Sequence, residues 1–459
     1  MNTHPNTVSS LADLTLSCAA ELVRSQAVSP VELAQACLDR IQGANADVRA
    51  FITITAESAL AAARIAESEI RHGQYRGRLH GIPLALKDLL DTAGVRTTAA
   101  SELFVERVPA EDATVVRKLK QAGAVLLGKT NLHEFAYGCS SVIGNFGVVQ
   151  NPRKPGYIAG GSSSGSAAAL AAKMCFGAIG TDTAGSIRLP AAYCGVVGLK
   201  PTYGRVSAHG VVPLSWSYDH VGPMARTVED AALLLEAIAG YDPLDKASAD
   251  VPAFEFASVG AITGRLRVGV ARQFFFDGIH PEIASAVDRA FRAIAPIAEL
   301  REVVVPVSND RTVQSYEAYL YHREWAAQSP ERYQPETLRR IQSGARYTVD
   351  EYDQALRELR SLRAAVADLF REVDVIVTPT AAVPPPTIAE LQSEPGQLRQ
   401  RELLMLRNTR PFNVLGLPTI SISCGETAEG LPIGLQITGA AWQEATVLSF
   451  AKAVEAALA

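Results

Sequence analysis

The sequence predicts an α/β fold with a central mixed β-sheet covered by helices on both faces. Two observations carry that reading. From Gly81 onward, short apolar runs bounded by Gly and Pro alternate with stretches of helical periodicity, the pattern of a largely parallel or mixed sheet dressed with helices. Hydrophobic residues make up 48% of the 459, enough to bury a sizeable core.

Taken in order, residues 8–75 read as helices. Ser29-Pro30-Val31-Glu32 supplies an N-cap, a proline in the first turn and an early acidic side chain. A short strand is expected over 50–55, and an alanine-rich helix over 56–71. Buried strands follow at 82–86, 124–128, 175–181, 266–270, 302–306, 373–378, 418–423 and 432–438. Helices are expected at 112–121, 227–239, 281–296, 311–327, 348–371, 397–409 and 442–457. Pro384-Pro385-Pro386 reads as a rigid turn, not a linker. The weakest seam is the polar stretch 241–264, and no internal repeat is visible. The chain reads as one domain over 1–459: a helical N-terminal segment (1–75), a core (76–240), a variable part that shapes a pocket (241–410) and a C-terminal return (411–459).

Composition excludes several functions. The 43 basic and 48 acidic residues leave a net charge of −5, with no basic stripe for nucleic acid. The six cysteines are scattered without a CxxC pair, the usage of a reduced, cytoplasmic protein. The polar start MNTHPNTVSS lacks the apolar stretch of a signal peptide, and no apolar run spans a bilayer. The expectation is a cytoplasmic monomer or homodimer with a small-molecule substrate, no nucleic-acid or membrane partner, no cofactor and no metal.

The chemistry concentrates between Gly160 and Pro190. Two Gly/Ser turns, GGSSSGS and TAGS, bracket the small-residue run 167–173, read as a short helix, and a buried strand over 174–182. That strand delivers Thr183, Ala184, Gly185 and Ser186 to a tight turn, where successive N–H groups can converge as an oxyanion hole with a serine at its lip. A serine hydroxyl is a weak nucleophile until its proton is taken. No histidine lies nearby. Lys87 ends the apolar strand GIPLALK, and burial favours the neutral amine, a base. Ser162 lies between the two in sequence, in a turn that suits a proton relay. Asp182 and Arg188 flank the nucleophile turn and are expected to pair behind it.

GGSSSGS, GTDTAGSIRLP and GIPLALKD together resemble the amidase signature family. The blocks AGAVLLGKTNLHEFAYG (122–138), CGVVGLKPTYGRVS (194–207), DHVGPMARTVEDAALLLEAIAG (219–240) and GLPTISISCG (416–425) extend the resemblance over most of the chain. It implies the amidase signature fold and a Ser–cis-Ser–Lys triad: Ser186 acylated, Ser162 bridging on a cis peptide after Gly161, and Lys87 the terminal base. It implies an oxyanion hole from the N–H groups of Thr183, Ala184, Gly185 and Ser186. Tyr137, Gly138 and Cys139 fall where the family has a wall of the acyl pocket, and the loop 205–216 is expected beside the cleft. The implied activity is that of a stand-alone amidase, a hydrolase of C–N bonds in linear amides. Phe274, Phe275, Phe276, Tyr316, Tyr319 and Trp325 tilt the expected substrates to hydrophobic acyl or aryl amides, with carbamates, urethanes or esters presenting a similar carbonyl.

The alternative within the family is the glutaminase component of a glutamyl-tRNA amidotransferase. Those glutaminases carry a glutamine-binding segment around an AEASSNL-like block, where this chain has SYEAYLYHREWAAQSPERY (315–333). A catalytically silent binding protein is a further rival, opposed by the intact triad positions. Other patterns are set aside. Gly123 to Thr130 fits the phosphate-loop pattern, but its middle residues are themselves the strand. Gly161 to Gly165 fits GxSxG without the strand that a nucleophile elbow requires, and His209, His220, His280 and His322 have no supporting motif. His133 and Glu134 lack a further metal ligand and read as structural.

Overall fold

The computed structural model describes residues 10–262 and 264–459, so the start 1–9, on which the reading of the leader largely rests, lies outside the described residues. The first long helix, Pro30–Val48, begins as its sequence dictates. Ser29 Oγ accepts from the Val31 N–H at 2.9 Å, and Glu32 accepts from the Ser29 N–H at 2.8 Å.

Eleven strands form one sheet: β1 Phe51–Ile54, β2 Pro83–Lys87, β3 Val125–Thr130, β4 Gly177–Asp182, β5 Val197–Lys200, β6 His220–Ala225, β7 Leu266–Val270, β8 Ala298–Glu302, β9 Val375–Pro379, β10 Thr419–Glu426 and β11 Pro432–Gly439. Their order is β1-β3-β2-β4-β6-β5-β10-β11-β9-β7-β8. Pairing is parallel for β2 with β3 and β4 and for β7 with β8 and β9, and antiparallel elsewhere, so the sheet is mixed.

Strand alternation assigns the two faces. On β11, a Cβ at Gly434 would lie 2.4 Å from Ala192, and Gln436 bonds Arg188, so even positions meet the helix Arg188–Cys194. A Cβ at Gly439 would lie 2.5 Å from Val447, so odd positions meet the helix Glu444–Leu458. Helices therefore cover both faces.

Three expectations are corrected. The strand expected at 302–306 lies at 298–302: β8 is a polar edge strand, and the apolar run after it leaves the sheet, with Val304 68% exposed. β5 and β6 are not among the strands expected, and β6 contains Pro223. The β5 ladder ends at Gly198 opposite Met224, before that proline, so its missing N–H breaks no rung there. The helix expected over 397–409 ends at Met405, and a separate short helix, Arg410–Val414, follows it.

The helix Ser164–Ala171 lies against neighbouring backbone. A Cβ on Gly165 would meet Ala50 O at 2.3 Å and Asn131 N at 2.5 Å, whereas Gly43, in Pro30–Val48, has nothing within 4 Å. Gly165→Ala is expected to destabilise by about 2 kcal/mol or more through overpacking. Gly43→Ala is expected to stabilise by up to about 1 kcal/mol through helix propensity. Urea unfolding of both variants checks this, and equal midpoints contradict it.

Candidate active site

Lys87 closes β2 with its side chain wholly buried, and its Nζ lies 2.7 Å from Ser162 Oγ and 2.7 Å from Thr181 Oγ1. Thr181 is a partner that the sequence reading missed. It reaches Lys87 only because β2 and β4 run parallel, with Leu86 beside Ile179. Burial lowers the Lys87 ammonium to about 7, against the opposing pull of the Asp182 and Asp219 carboxylates. The peptide bond Gly161–Ser162 is cis.

The two serine turns touch. The Ser163 N–H donates to Ser186 O at 3.2 Å, and the His133 N–H donates to Ser162 O at 3.2 Å. Ser162 and Ser186 are both buried, at 0% and 4% exposure. Ser163 is engaged with β4: its Oγ donates to Thr181 O at 3.2 Å and accepts from the Thr181 N–H at 3.3 Å.

Asp182 and Arg188 pair behind the Ser186 turn, both fully buried, with Nε–Oδ2 and Nη2–Oδ1 distances of 3.0 Å. Burial would raise the Asp182 carboxyl, but Arg188 and Lys200 hold it well below the usual range. Asp182 also accepts from the Gly185 N–H at 2.7 Å and the Ile187 N–H at 3.1 Å. This corrects one expectation: the Gly185 N–H is engaged by Asp182, which leaves Thr183, Ala184 and Ser186 of the four donors. The Thr183 hydroxyl donates to Asp219 at 2.6 Å, and burial raises that carboxyl to about 6.

The 137–139 segment is placed differently from the expectation. The Cys139 side chain is fully buried beside Ala184 and Leu189, its Sγ bonded to Glu402 O at 3.4 Å, and burial pushes its thiol up. Gly138 packs on the His133 ring, where a Cβ would lie 2.1 Å from Cε1. Cys139 backs the serine turn through main chain, because its carbonyl oxygen abuts Gly161. Tyr137 lies under the Arg399 guanidinium, 6.0 Å from its ring centre. A cavity of about 430 Å³ opens beside Thr181 and Thr183, lined on its far side by His209, Val212 and Trp216, so the 205–216 loop does border a cleft. Two aromatics of the variable part pack on rings outside it: Phe275 is fully buried against Phe412, and Trp325, 37% exposed, lies edge-on to Phe104.

The patterns set aside are structural. Lys129 is buried in β3, bonded to Leu90 O and Thr97 Oγ1 at 2.6 Å each and 3.3 Å from Asp88. Glu134 accepts from the Ser101 hydroxyl at 2.6 Å. Among the described residues, no three His, Cys, Asp or Glu side chains converge as a metal site. No helix there is long and apolar enough to cross a membrane.

A mixed sheet clothed by helices, with a buried lysine between two serine turns, marks this chain as a hydrolase of the amidase signature class. The family model described as Amidase matches residues 32–448, and the chain belongs to that family. It is 40% identical to the A component of the glutamyl-tRNA(Gln) amidotransferase of Moorella thermoacetica, over 95% of this chain and 94% of that one. It is also 40% identical to an amidase of Pseudomonas putida, over 92% of each. A solved structure described as a vestigial protein complex that reveals the origins of an s-triazine catabolic enzyme superposes with a TM-score of 0.89 at 33% identity, covering 96% of this chain and 98% of that one.

Arg188 holds more than its carboxylate, donating also to Thr409 O (2.9 Å), Asn413 Oδ1 (2.6 Å) and Gln436 Oε1 (3.2 Å). Arg188→Ala leaves Asp182 buried and unpaired and is expected to cost about 3–5 kcal/mol. Arg188→Lys is expected to recover little, because one ammonium cannot serve all four partners. Chemical denaturation measures both, and a loss below about 1 kcal/mol for the alanine variant, the scale of an ordinary hydrogen bond, overturns the assignment.

Proposed function

We propose that the protein is a stand-alone amidase that hydrolyses small linear amides through Ser186, Ser162 and Lys87. The observation that carries the reading is the buried Lys87 amine 2.7 Å from Ser162, in a turn that bonds the Ser186 turn through the Ser163 N–H. Neutral Lys87 takes a proton through Ser162 as Ser186 Oγ attacks the carbonyl carbon. The N–H groups of Thr183, Ala184 and Ser186 receive the oxyanion, and Asp182 with Arg188 holds that turn in shape. Collapse of the tetrahedral adduct breaks the C–N bond, and the relay returns the proton to the departing amine. Water then cleaves the acyl-serine by the same route, releasing the acid. The scheme uses only groups of the chain itself. Carbamates and esters offer the same carbonyl, and Tyr137 is retained as the residue bordering the acyl group. A cytoplasmic setting belongs to this reading, on the strength of six unpaired cysteines.

A second reading, the glutaminase component of an amidotransferase, is favoured by the Moorella relative, but the Pseudomonas amidase matches at the same identity. Assay of glutamine beside simple amides, without added partner, separates the two; turnover of glutamine alone sinks the stand-alone reading.

Ser186→Ala is expected to lose all ammonia release, and Lys87→Ala about 10²–10⁴-fold. The double variant Lys87→Ala/Ser162→Ala is expected to be little worse than the poorer single one, because the members act as a unit. A fluorophosphonate label read by intact mass should vanish in Ser186→Ala; a label that persists there and disappears in Ser163→Ala moves the nucleophile. The pH profile carries its own sign. Lys87 works as the neutral amine and its ammonium is lowered to about 7, so kcat/KM should rise through pH 7 and then level off. Below that point the slope should approach about tenfold per unit. A profile flat through neutrality contradicts Lys87 as the base.

A further inference from the structure

The sheet keeps one edge open at β8. Among the described residues β8 pairs only with β7, in parallel, with Leu266 beside Ala298 and Val270 beside Glu302. Ile297 O accepts from the Leu266 N–H at 3.0 Å, and the Val303 N–H donates to Val270 O at 3.2 Å, so odd positions address β7. By alternation, the N–H and C=O groups of Ala298, Leu300 and Glu302 point to the outer edge. Ala298 O is taken there by the Arg265 guanidinium at 2.5 Å. Apolar surface accompanies the open backbone, with Leu300 42% exposed.

An open edge is a template for a further strand, and charge on the edge is the common way to blunt it. β8 does carry charge, in Glu299, Arg301 and Glu302, but their order makes the strand complementary to itself. Consider an antiparallel copy related by a two-fold axis at Leu300. Leu300 then meets its own counterpart as a hydrogen-bonded pair, through the outward N–H and C=O groups. Glu299 stands opposite the copy's Arg301, and Arg301 opposite the copy's Glu299, in non-hydrogen-bonded pairs where side chains come closest. Glu302 faces Ala298, so no like charges meet. Other axes on this strand fail. An axis at Glu299, Arg301 or Glu302 sets that charge against itself, and an axis at Ala298 overlaps the two strands by that one residue. Within one chain Glu299 and Arg301 already meet at 2.8 Å, half-exposed on one face of β8. The axis brings two such pairs together.

We propose that the β8 edge is an interface for a second copy of this chain, formed by antiparallel strand pairing centred on Leu300, with Glu299 and Arg301 setting the register. The sheet then runs continuously through both copies. β6, β5, β10, β11, β9 and β7 separate β8 from β4, so the interface lies far from the serine turns and holds whatever substrate they take.

Sedimentation equilibrium of the purified full chain, over a dilution series at low salt, reads the interface directly. The mass should approach twice the 48.9 kDa of one chain and fall on dilution. Added salt should weaken the association, because the charge pairs are partly exposed. Arg301→Glu sets like charges opposite one another twice across the axis and should weaken the dimer about tenfold or more. Glu299→Arg/Arg301→Glu exchanges the two charges, recreates each opposite pair and should restore the dimer, a rescue that a role of Arg301 within its own chain does not require. Leu300→Lys changes a half-exposed side chain and should dissociate the dimer while leaving a folded monomer, checked by urea unfolding. A monomer at all concentrations, a dimer indifferent to Arg301→Glu and Leu300→Lys, or a loss that the charge exchange does not reverse overturns the proposal.

Discussion

The Asp182–Arg188 pair organises the rest of the site. Asp182 ends β4 and gathers the turn that follows, through the Gly185 and Ile187 N–H groups and the Asn413 side chain. Arg188 opens the next helix and reaches outward to Thr409, Asn413 and Gln436, which belong to the C-terminal third of the chain. One buried ion pair therefore fixes the shape of the Ser186 turn and ties it to β11. Its geometry answers the usual objection to buried charge, because every oxygen of the carboxylate and every nitrogen of the guanidinium has a partner.

Two buried lysines on neighbouring strands differ in their partners. Lys129 is held by Asp88, Leu90 O and Thr97; burial lowers its ammonium too, against the pull of the contacting Asp88 carboxylate. Lys87 has only hydroxyls, from Ser162 and Thr181, within hydrogen-bond reach. Hydroxyls accept from an ammonium but do not compensate its charge, so desolvation wins and the amine becomes available as a base near neutral pH. The difference between a structural lysine and a candidate catalytic one is thus the absence of a contacting carboxylate.

Much of the site was legible because its parts are local. Gly and Ser in GGSSSGS and TAGS announce turns, the apolar run before Asp182 announces the strand that carries one of them, and Ser29 to Glu32 writes its own helix cap. Reading failed where the partner was distant. Thr181 meets Lys87 through parallel pairing of β2 with β4, and Glu402 meets Cys139 and Ser140 from the far end of the chain. The aromatics of 241–410 looked like pocket lining; Phe275 instead stacks on Phe412, since a large apolar side chain gains more from burial than from a wetted wall.

The sequence by itself determined the fold class, the two serine turns, the strand-end lysine and the pairing of Asp182 with Arg188, because each is set by turn chemistry, periodicity or close spacing. Tertiary structure decided the remainder. It engaged the Gly185 N–H with Asp182 and turned Cys139 into core. Those outcomes depend on which charges and donors meet across long stretches of chain. Electrostatic compensation is a property of the assembled neighbourhood, and no window of sequence contains it.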